Sequence, residues 1–364
     1  MSNILIQCLG KKDAAPALAI CMAKGFAADS RNKVYCLLSD QISNKCEWIA
    51  DDRLDVCFIK TGNKRNFIRS SIGLLFNTRR KLKKYYKNIP FVLSIQPFVH
   101  PWGGIINSTI QVKHKMGICH DPNPHTGETC INKLFSYLGY RSTNELIVLT
   151  KKYMELVKDK FKKPVFYMKL GLFSNYRMDD VHAVSVNEKE GNINFLFFGR
   201  IEKYKGIDIL LEAYAKICNE STTLTIAGDG DFSEYKDITE NCSNMKLYNR
   251  YIQDEEVGQL FSTKNTVLVV PYIDATQSGV IPIAVDYLVP IIASDTGGLR
   301  EQLDDGRIGL FVKPRDVEQL SEIMKTFVTD PSMMCLQKKN MEKYKPQLEW
   351  KNITKKLLED IENI

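Results

Sequence analysis

Two positively charged side chains give the first chemical signal in this chain. Arg200 and Lys205 lie in Phe198-Gly199-Arg200-Ile201-Glu202-Lys203-Tyr204-Lys205-Gly206. An apolar run ends at Gly199, and a helical period begins after Gly206. A short basic loop between a strand and a helix falls where open α/β sheets bind ligands. Arg200 can grip phosphate oxygens with two parallel N–H bonds, and Lys205 adds a point charge. The plain alternative is a pair of solvated surface cations. A second stretch, Asp274-Ala275-Thr276-Gln277-Ser278-Gly279-Val280, follows another apolar run. Small and amide residues opening a helix can expose backbone N–H groups, a ready anion site. Such residues also cap helices that bind nothing. Together the two stretches describe a diphosphate pocket.

Other candidates are more local. His120 closes a strand-like run before Asp121-Pro122-Asn123-Pro124-His125. At a strand's carboxyl edge it can reach into a cleft, or it can bond the backbone as a structural histidine. Gly10 ends the first apolar run, where a doubly wound sheet faces its ligand. Residues 10–15 hold one glycine, so the dinucleotide fingerprint is absent, which argues against a simple NAD enzyme. Asp229-Gly230-Asp231 has turn composition and reads as a turn and helix cap. Cys119, His120, His125 and Cys130 are close in sequence, but their spacing fits no common zinc pattern, and no metal or other cofactor is expected.

These residues need a frame to position them. In the first half, strands are expected at 4–9, 33–39, 55–60, 91–96, 115–120, 145–150 and 165–169. Helices are expected between them at 13–27, 66–87, 128–138 and 151–159. In the second half, strands are expected at 193–198, 223–227, 245–248, 266–270, 290–293 and 308–312. Short apolar runs alternating with helical periods indicate βαβ units and parallel sheets. After Gly206, Ile207, Leu210, Leu211, Tyr214 and Ile217 share one helical face. The fold class is α/β, with two Rossmann-like doubly wound domains. The first spans 1–170, a polar linker 171–191, and the second 192–345. The last segment, 346–364, carries a helical stripe of Trp350, Ile353, Leu357, Leu358 and Ile361. That helix either closes the second domain or crosses back to the first.

With 364 residues, 44% hydrophobic and 26% charged, the chain is neither disordered nor fibrous, and its length suits two domains. No apolar run approaches the roughly 18–20 residues that span a bilayer. A signal peptide is not expected, and the ten scattered cysteines read as reduced cytosolic thiols. The net charge of +7 hides an asymmetry: residues 1–170 hold 28 Lys/Arg against 12 Asp/Glu, and residues 171–364 hold 22 against 31. Residues 61–88 alone carry nine Lys/Arg and no acid, interleaved with Phe67, Ile72, Leu75, Phe76, Leu82, Tyr85 and Tyr86. An amphipathic basic helix of this kind can dock on an anionic membrane, with each cation worth about 1 kcal/mol. A solvated face is the alternative. Nucleic acid is not the expected partner, because no binding motif accompanies the charge.

The second half resembles the retaining, nucleotide-sugar-dependent glycosyltransferases of two-Rossmann (GT-B) architecture, including the bacterial family that builds O-antigens, capsules and related glycans. The resemblance rests on Phe197-Phe198-Gly199-Arg200…Lys205-Gly206, Ile226-Ala227-Gly228-Asp229-Gly230, the 249–252 stretch, Ala275-Thr276-Gln277-Ser278-Gly279-Val280, and Ala293-Ser294-Asp295-Thr296-Gly297-Gly298-Leu299-Arg300-Glu301. The first half matches more loosely, through Gly10 and His120-Asp121-Pro122. The resemblance implies two domains facing a cleft, with the last helix crossing back. It implies a UDP- or GDP-sugar donor and a saccharide or lipid-linked saccharide acceptor, used at the cytoplasmic face of a membrane. It implies that Arg200 and Lys205 hold the donor diphosphate, that the backbone of Gln277, Ser278, Gly279 and Val280, beside Thr276, caps it, and that Gly10 lies beneath it. Asn249, Arg250 and Tyr251 would lie near the nucleobase, and His120 near the donor sugar. One departure stands out. The family commonly has two glutamates eight positions apart, and those positions here are Ala275 and Ile283. Asp286, one helical turn on, is the candidate substitute for the ribose contact. Two rival readings share the architecture: a nucleotide-sugar 2-epimerase and a non-catalytic nucleotide-sugar-binding subunit.

Overall fold

The computed structural model describes residues 2–11, 14–62, 67–122, 130–173, 176 and 192–363. They fall into two units, Met1–Gly171 with Glu349–Ile364, and Leu172–Leu348.

The first unit holds β1 (Ser2–Cys8), β2 (Asn32–Ser39), β3 (Leu54–Ile59), β4 (Phe91–Gln96), β5 (Val112–Cys119), β6 (Glu145–Val148) and β7 (Val165–Tyr167). They form one parallel sheet in the order β3-β2-β1-β4-β5-β6-β7. Ile4 of β1 pairs with Val34 on one side and Leu93 on the other, and all three are fully buried. Burial on both faces is why this strand reads as a continuous apolar run rather than an alternation. The helix Ala14–Ala27 is apolar nearly all round because it too is covered twice, by the sheet and by the helix Trp350–Glu362. A Cβ on Gly25 would lie 2.6 Å from Trp350 Cβ, so the two helices cross with almost no space between backbones. Trp350, Ile353, Leu357 and Ile361 are buried there. The stripe read from the sequence therefore packs on the first unit.

The second unit holds β8 (Ile193–Phe198), β9 (Thr222–Gly228), β10 (Met245–Asn249), β11 (Thr266–Val270), β12 (Ile291–Ser294) and β13 (Leu310–Val312). Its parallel order is β10-β9-β8-β11-β12-β13. In both sheets the unit's first strand is internal, and the strand order reverses beside it. Crevices at such reversals are where doubly wound sheets take ligands. The helix Ile207–Ala215 follows β8 and buries Ile207, Leu210, Leu211 and Tyr214 against the sheet, the face that the spacing marks.

Two expected boundaries are corrected. The stretch 171–191 is not linker from its start, because Leu172 and Phe173 are buried and the Leu172 N–H bonds the Leu348 carbonyl, which joins the second unit's two ends. Residues 177–191 lie outside the described residues. The expected helix at 66–87 runs as Phe67–Gly73, a single π turn Leu74–Thr78, and Arg79–Tyr86. Leu74, Leu82 and Tyr86 face the core, and the wider turn shifts which residues reach it.

Candidate functional site

The carboxyl ends of β8, β9 and β11 build the second unit's candidate site. Gly199 N–H bonds the Ala227 carbonyl and Ile201 N–H the Asp229 carbonyl, which extends the β8–β9 pairing into the loops. At Gly228 the backbones nearly touch: a Cβ would stand 1.9 Å from the Gly199 carbonyl oxygen, so no side chain fits. Lys203–Lys205 form one 3₁₀ turn, closed by Gly206 in the left-handed conformation at φ 64°. A Cβ on Gly206 would lie 2.1 Å from the Pro271 carbonyl, and Ile273 N–H bonds the Tyr204 carbonyl at 2.7 Å. The basic loop is thereby fastened to the end of β11.

This geometry separates the two cations. Lys205 is buried, at 9% exposure, and its ammonium lies 5.2 Å from the centre of the Tyr272 ring. Its Nζ also stands 2.8 Å from where a Gly199 Cβ would be. Among the described residues no carboxylate pairs with it. Arg200 is a different case, its side chain 75% exposed and 3.8 Å from Glu202 Oε1. The structure thus presents one enclosed cation and one exposed one.

The loop before the helix Val280–Asp286 is held from outside. Gln302 accepts the Ser278 N–H at 2.7 Å and donates to the Ser278 carbonyl at 3.1 Å. The Ser278 hydroxyl reaches the Tyr272 hydroxyl at 3.4 Å, and Gly298 N–H bonds the Ala275 carbonyl. Of the expected backbone cap at Gln277, Ser278, Gly279 and Val280, the Ser278 N–H is engaged by Gln302. Gly279 is exposed with open space beside it, Val280 is buried, and Thr276 and Gln277 are half-buried.

The Asp286 carboxylate is 4% exposed and pairs with Lys345 at 2.7 Å. Ala275 and Ile283 are both buried. Arg250 is drawn back to Glu256 by two bonds of 2.8 and 2.5 Å, while Asn249 and Tyr251 stay exposed. The same guanidinium holds the Glu256 carboxyl well below the usual range, at about 2. Asp231 accepts the Ser233 N–H and caps a turn, consistent with its composition.

In the first unit, His120 follows β5. Its Nε2 faces the Pro97 carbonyl at 2.7 Å, which can only accept, so Nε2 carries the proton. The ring stacks on Phe98 with centroids 4.1 Å apart. Burial lowers its pKa below the ordinary histidine value, against the opposing pull of the Pro97 bond, and keeps the ring neutral. His120 lines a cavity of about 430 Å³ with Phe98, Tyr137, Tyr140, Lys160 and Phe161. A Cβ on Gly10 would lie 2.7 Å from Ala15 Cβ, so that glycine has a packing reason. Of the group at 119–130, His125 lies outside the described residues, and no cluster able to hold a metal ion occurs among the described ones. Nine described cysteines form no disulfide among the described residues, and burial pushes the Cys8 thiol up to about 12.

Local sequence reasoning missed Tyr272 and Gln302. Tyr272 looks like the tail of an apolar strand, and Gln302 acts on a residue 24 positions away.

Residues 179–347 match the family model described as "Glycosyl transferases group 1". A Klebsiella pneumoniae protein described as "Uncharacterized 41.2 kDa protein in cps region" is 30% identical over 168 residues, 46% of this chain and 45% of that protein. "Uncharacterized glycosyltransferase MJ1178" of Methanocaldococcus jannaschii is 25% identical over 253 residues, 66% of this chain and 67% of that one. The chain therefore spans less than half of the first relative's length. Among solved structures, Anabaena Alr3699/HepE in complex with UDP superposes with a TM-score of 0.72 at 16% identity, covering 100% of both chains. Two parallel-sheet α/β domains, of seven and six strands, are the architecture of GT-B glycosyltransferases. The group 1 glycosyl transferase match, over residues 179–347, is thus a likeness of less than half of the chain.

Proposed function

We propose that this protein is a glycosyltransferase that moves a sugar from a UDP- or GDP-sugar to a saccharide acceptor, with retention at the anomeric carbon. The observation that carries the reading is Lys205, an enclosed ammonium beside two glycine-lined strand ends that pairs with no carboxylate among the described residues. Leaving a cation buried and unpaired is costly unless an anion arrives. A diphosphate satisfies that charge. As the bond from the sugar C1 to the leaving phosphate oxygen breaks, negative charge grows on the phosphate and positive charge on the ring. A fixed cation stabilises that separation more than it stabilises the bound donor. Arg200, exposed beside the same loop, would meet the outer oxygens. The leaving phosphate then takes the acceptor hydroxyl's proton on the face that it leaves, which gives retention. In this reading, protein cations carry the charge that a divalent metal carries elsewhere. A thermal-shift panel of UDP-, GDP-, ADP- and dTDP-sugars tests the donor, because a ligand binding only the native state raises the melting temperature. A panel without any shift removes the reading.

The acceptor is taken to be lipid-linked, in surface polysaccharide synthesis at the cytoplasmic leaflet. Support comes from the helical segment 67–86, where Ile72, Leu75, Phe76 and Tyr85 are exposed, Phe76 at 73%, beside the exposed cations Arg80, Lys81, Lys83 and Lys84. No described helix is long and apolar enough to cross a membrane. Flotation on phosphatidylserine vesicles should weaken with salt and with Phe76→Ser. Binding equal on neutral vesicles would remove this part.

One observation favours a second reading, a nucleotide-sugar-binding subunit without transfer. The positions that carry family glutamates are buried apolar residues, and Asp286 is ion-paired. Donor binding without turnover against any acceptor would support it.

A further inference from the structure

We propose that Tyr272 is the positioning residue for the Lys205 ammonium, and that an aromatic face stands here where an acidic partner would otherwise sit. The inference rests on the diphosphate reading of the site.

Lys205 cannot leave. The turn Lys203–Lys205 is pinned to the end of β11 by Gly206 against the Pro271 carbonyl and by the bond from Ile273 N–H to the Tyr204 carbonyl. That places the lysine stem beside the next residue along β11's exit, Tyr272. The ring cannot leave either. It is 3% exposed, and Tyr204 packs edge-on against it at 6.3 Å. The Ser278 hydroxyl meets its hydroxyl at 3.4 Å, and Gln302 clamps the Ser278 peptide on both sides. The ammonium is thus held between the Gly199 backbone and a ring whose own position is fixed through Ser278.

A buried lysine usually needs a counter-charge. A carboxylate would supply one and would also cancel the charge that a phosphate must meet. A ring attracts the cation through its quadrupole and leaves the full positive charge in place. Tyr272 therefore orients Lys205 while keeping the site net positive, so the site favours multiply charged phosphates over neutral ligands.

Inorganic pyrophosphate and UDP, titrated calorimetrically into the full chain, test this without knowledge of the sugar. Tyr272→Phe keeps the ring and should bind both within about twofold of wild type. Tyr272→Leu removes the ring and should weaken both by about tenfold, equivalent to ~1.4 kcal/mol. In turnover assays Tyr272→Leu should raise the donor KM more than it lowers kcat and leave the acceptor KM unchanged. Melting curves identify any variant that has unfolded, and Tyr272→Met then takes the place of Leu. Wild-type affinity in a folded ring-less variant, or equal losses in Phe and Leu, overturns the role of Tyr272 alone. Failure of wild type to bind either probe overturns the diphosphate reading and this inference with it.

Discussion

The two sheets repeat one strand order, yet their cations at the reversal point have different fates. In the first unit Lys11 follows β1, and its ammonium donates to Gln41 Oε1 at 2.7 Å and to the Gly62 carbonyl at 3.0 Å. Gln41 in turn donates to the Thr61 carbonyl, and Asp40 accepts the Thr61 N–H. That crevice is stitched shut by its own loops. In the second unit Lys205 occupies the corresponding place after β8, yet it is held by a ring and by backbone and makes no ion pair among the described residues. The same fold therefore gives a cation bonded by its own loops in one copy and, in the other, one without an ion pair among the described residues. Function follows the partners of a side chain more than the architecture that carries it.

The sharpest way to break this comparison is to remove each lysine in turn. Lys205→Met should lower kcat/KM by about 10²–10³-fold, the usual consequence of losing one preorganised donor. Lys11→Met should leave donor affinity within about threefold and instead lower the melting temperature, because two loop bonds worth about 1 kcal/mol each are lost. Equal effects on donor use would show that the two crevices do not differ as described.

The glycines sharpen it next. Gly228→Ala should destabilise the second unit by about 3 kcal/mol or more, since backbone cannot yield to a Cβ 1.9 Å from the Gly199 oxygen. Hydrogen exchange of β8 and β9 amides measures the loss. Gly10→Ala meets only the Ala15 methyl and should cost about 1–3 kcal/mol. Arg200→Ala comes after these, at about tenfold in kcat/KM, because an exposed guanidinium is screened by water. A larger effect than that of Lys205→Met would reverse the ranking.

The smallest effect concerns pH. Burial first, then the nearby Lys11 charge, lowers the His100 pKa to about 4. Its Nδ1 accepts the Trp102 N–H, so the native ring is neutral. The unfolded chain binds this proton first as pH falls below the ordinary value near 6.5. Stability contributed by a neutral His100 is therefore complete above about pH 6.5 and declines toward pH 4. All three tryptophans, Trp48, Trp102 and Trp350, belong to the first unit, so their fluorescence follows that unit alone. Urea midpoints should fall across this window in wild type and less steeply in His100→Gln.

The positions of the strands were legible because a parallel strand buried on both faces is a short apolar run. The expected 91–96, 193–198 and 266–270 coincide with β4, β8 and β11, and the other strands shift by a few residues at most. The basic loop after β8 was legible for the same reason, since a strand's end and a helix's start bracket it. The partners of Ser278 and Asp286 were not. Local composition offered Ser278 as an anion ligand, and the family resemblance offered Asp286 as a ribose-binding carboxylate. Gln302 and Lys345 engage them instead, from 24 and 59 residues away. No periodicity encodes such distances.

The amino-acid pattern by itself determined the two parallel sheets, the amphipathic closing helix and the loop types, because burial writes itself into residue spacing. Only the folded chain decided which charges remain available. Lys205 is enclosed by Tyr272 and pairs with no carboxylate among the described residues, Arg200 is exposed beside Glu202, and Lys11 is bound by loops 30 and 51 residues away. A charge is neutralised by whatever the fold brings within a few ångströms, and that neighbour is set by topology rather than by sequence proximity.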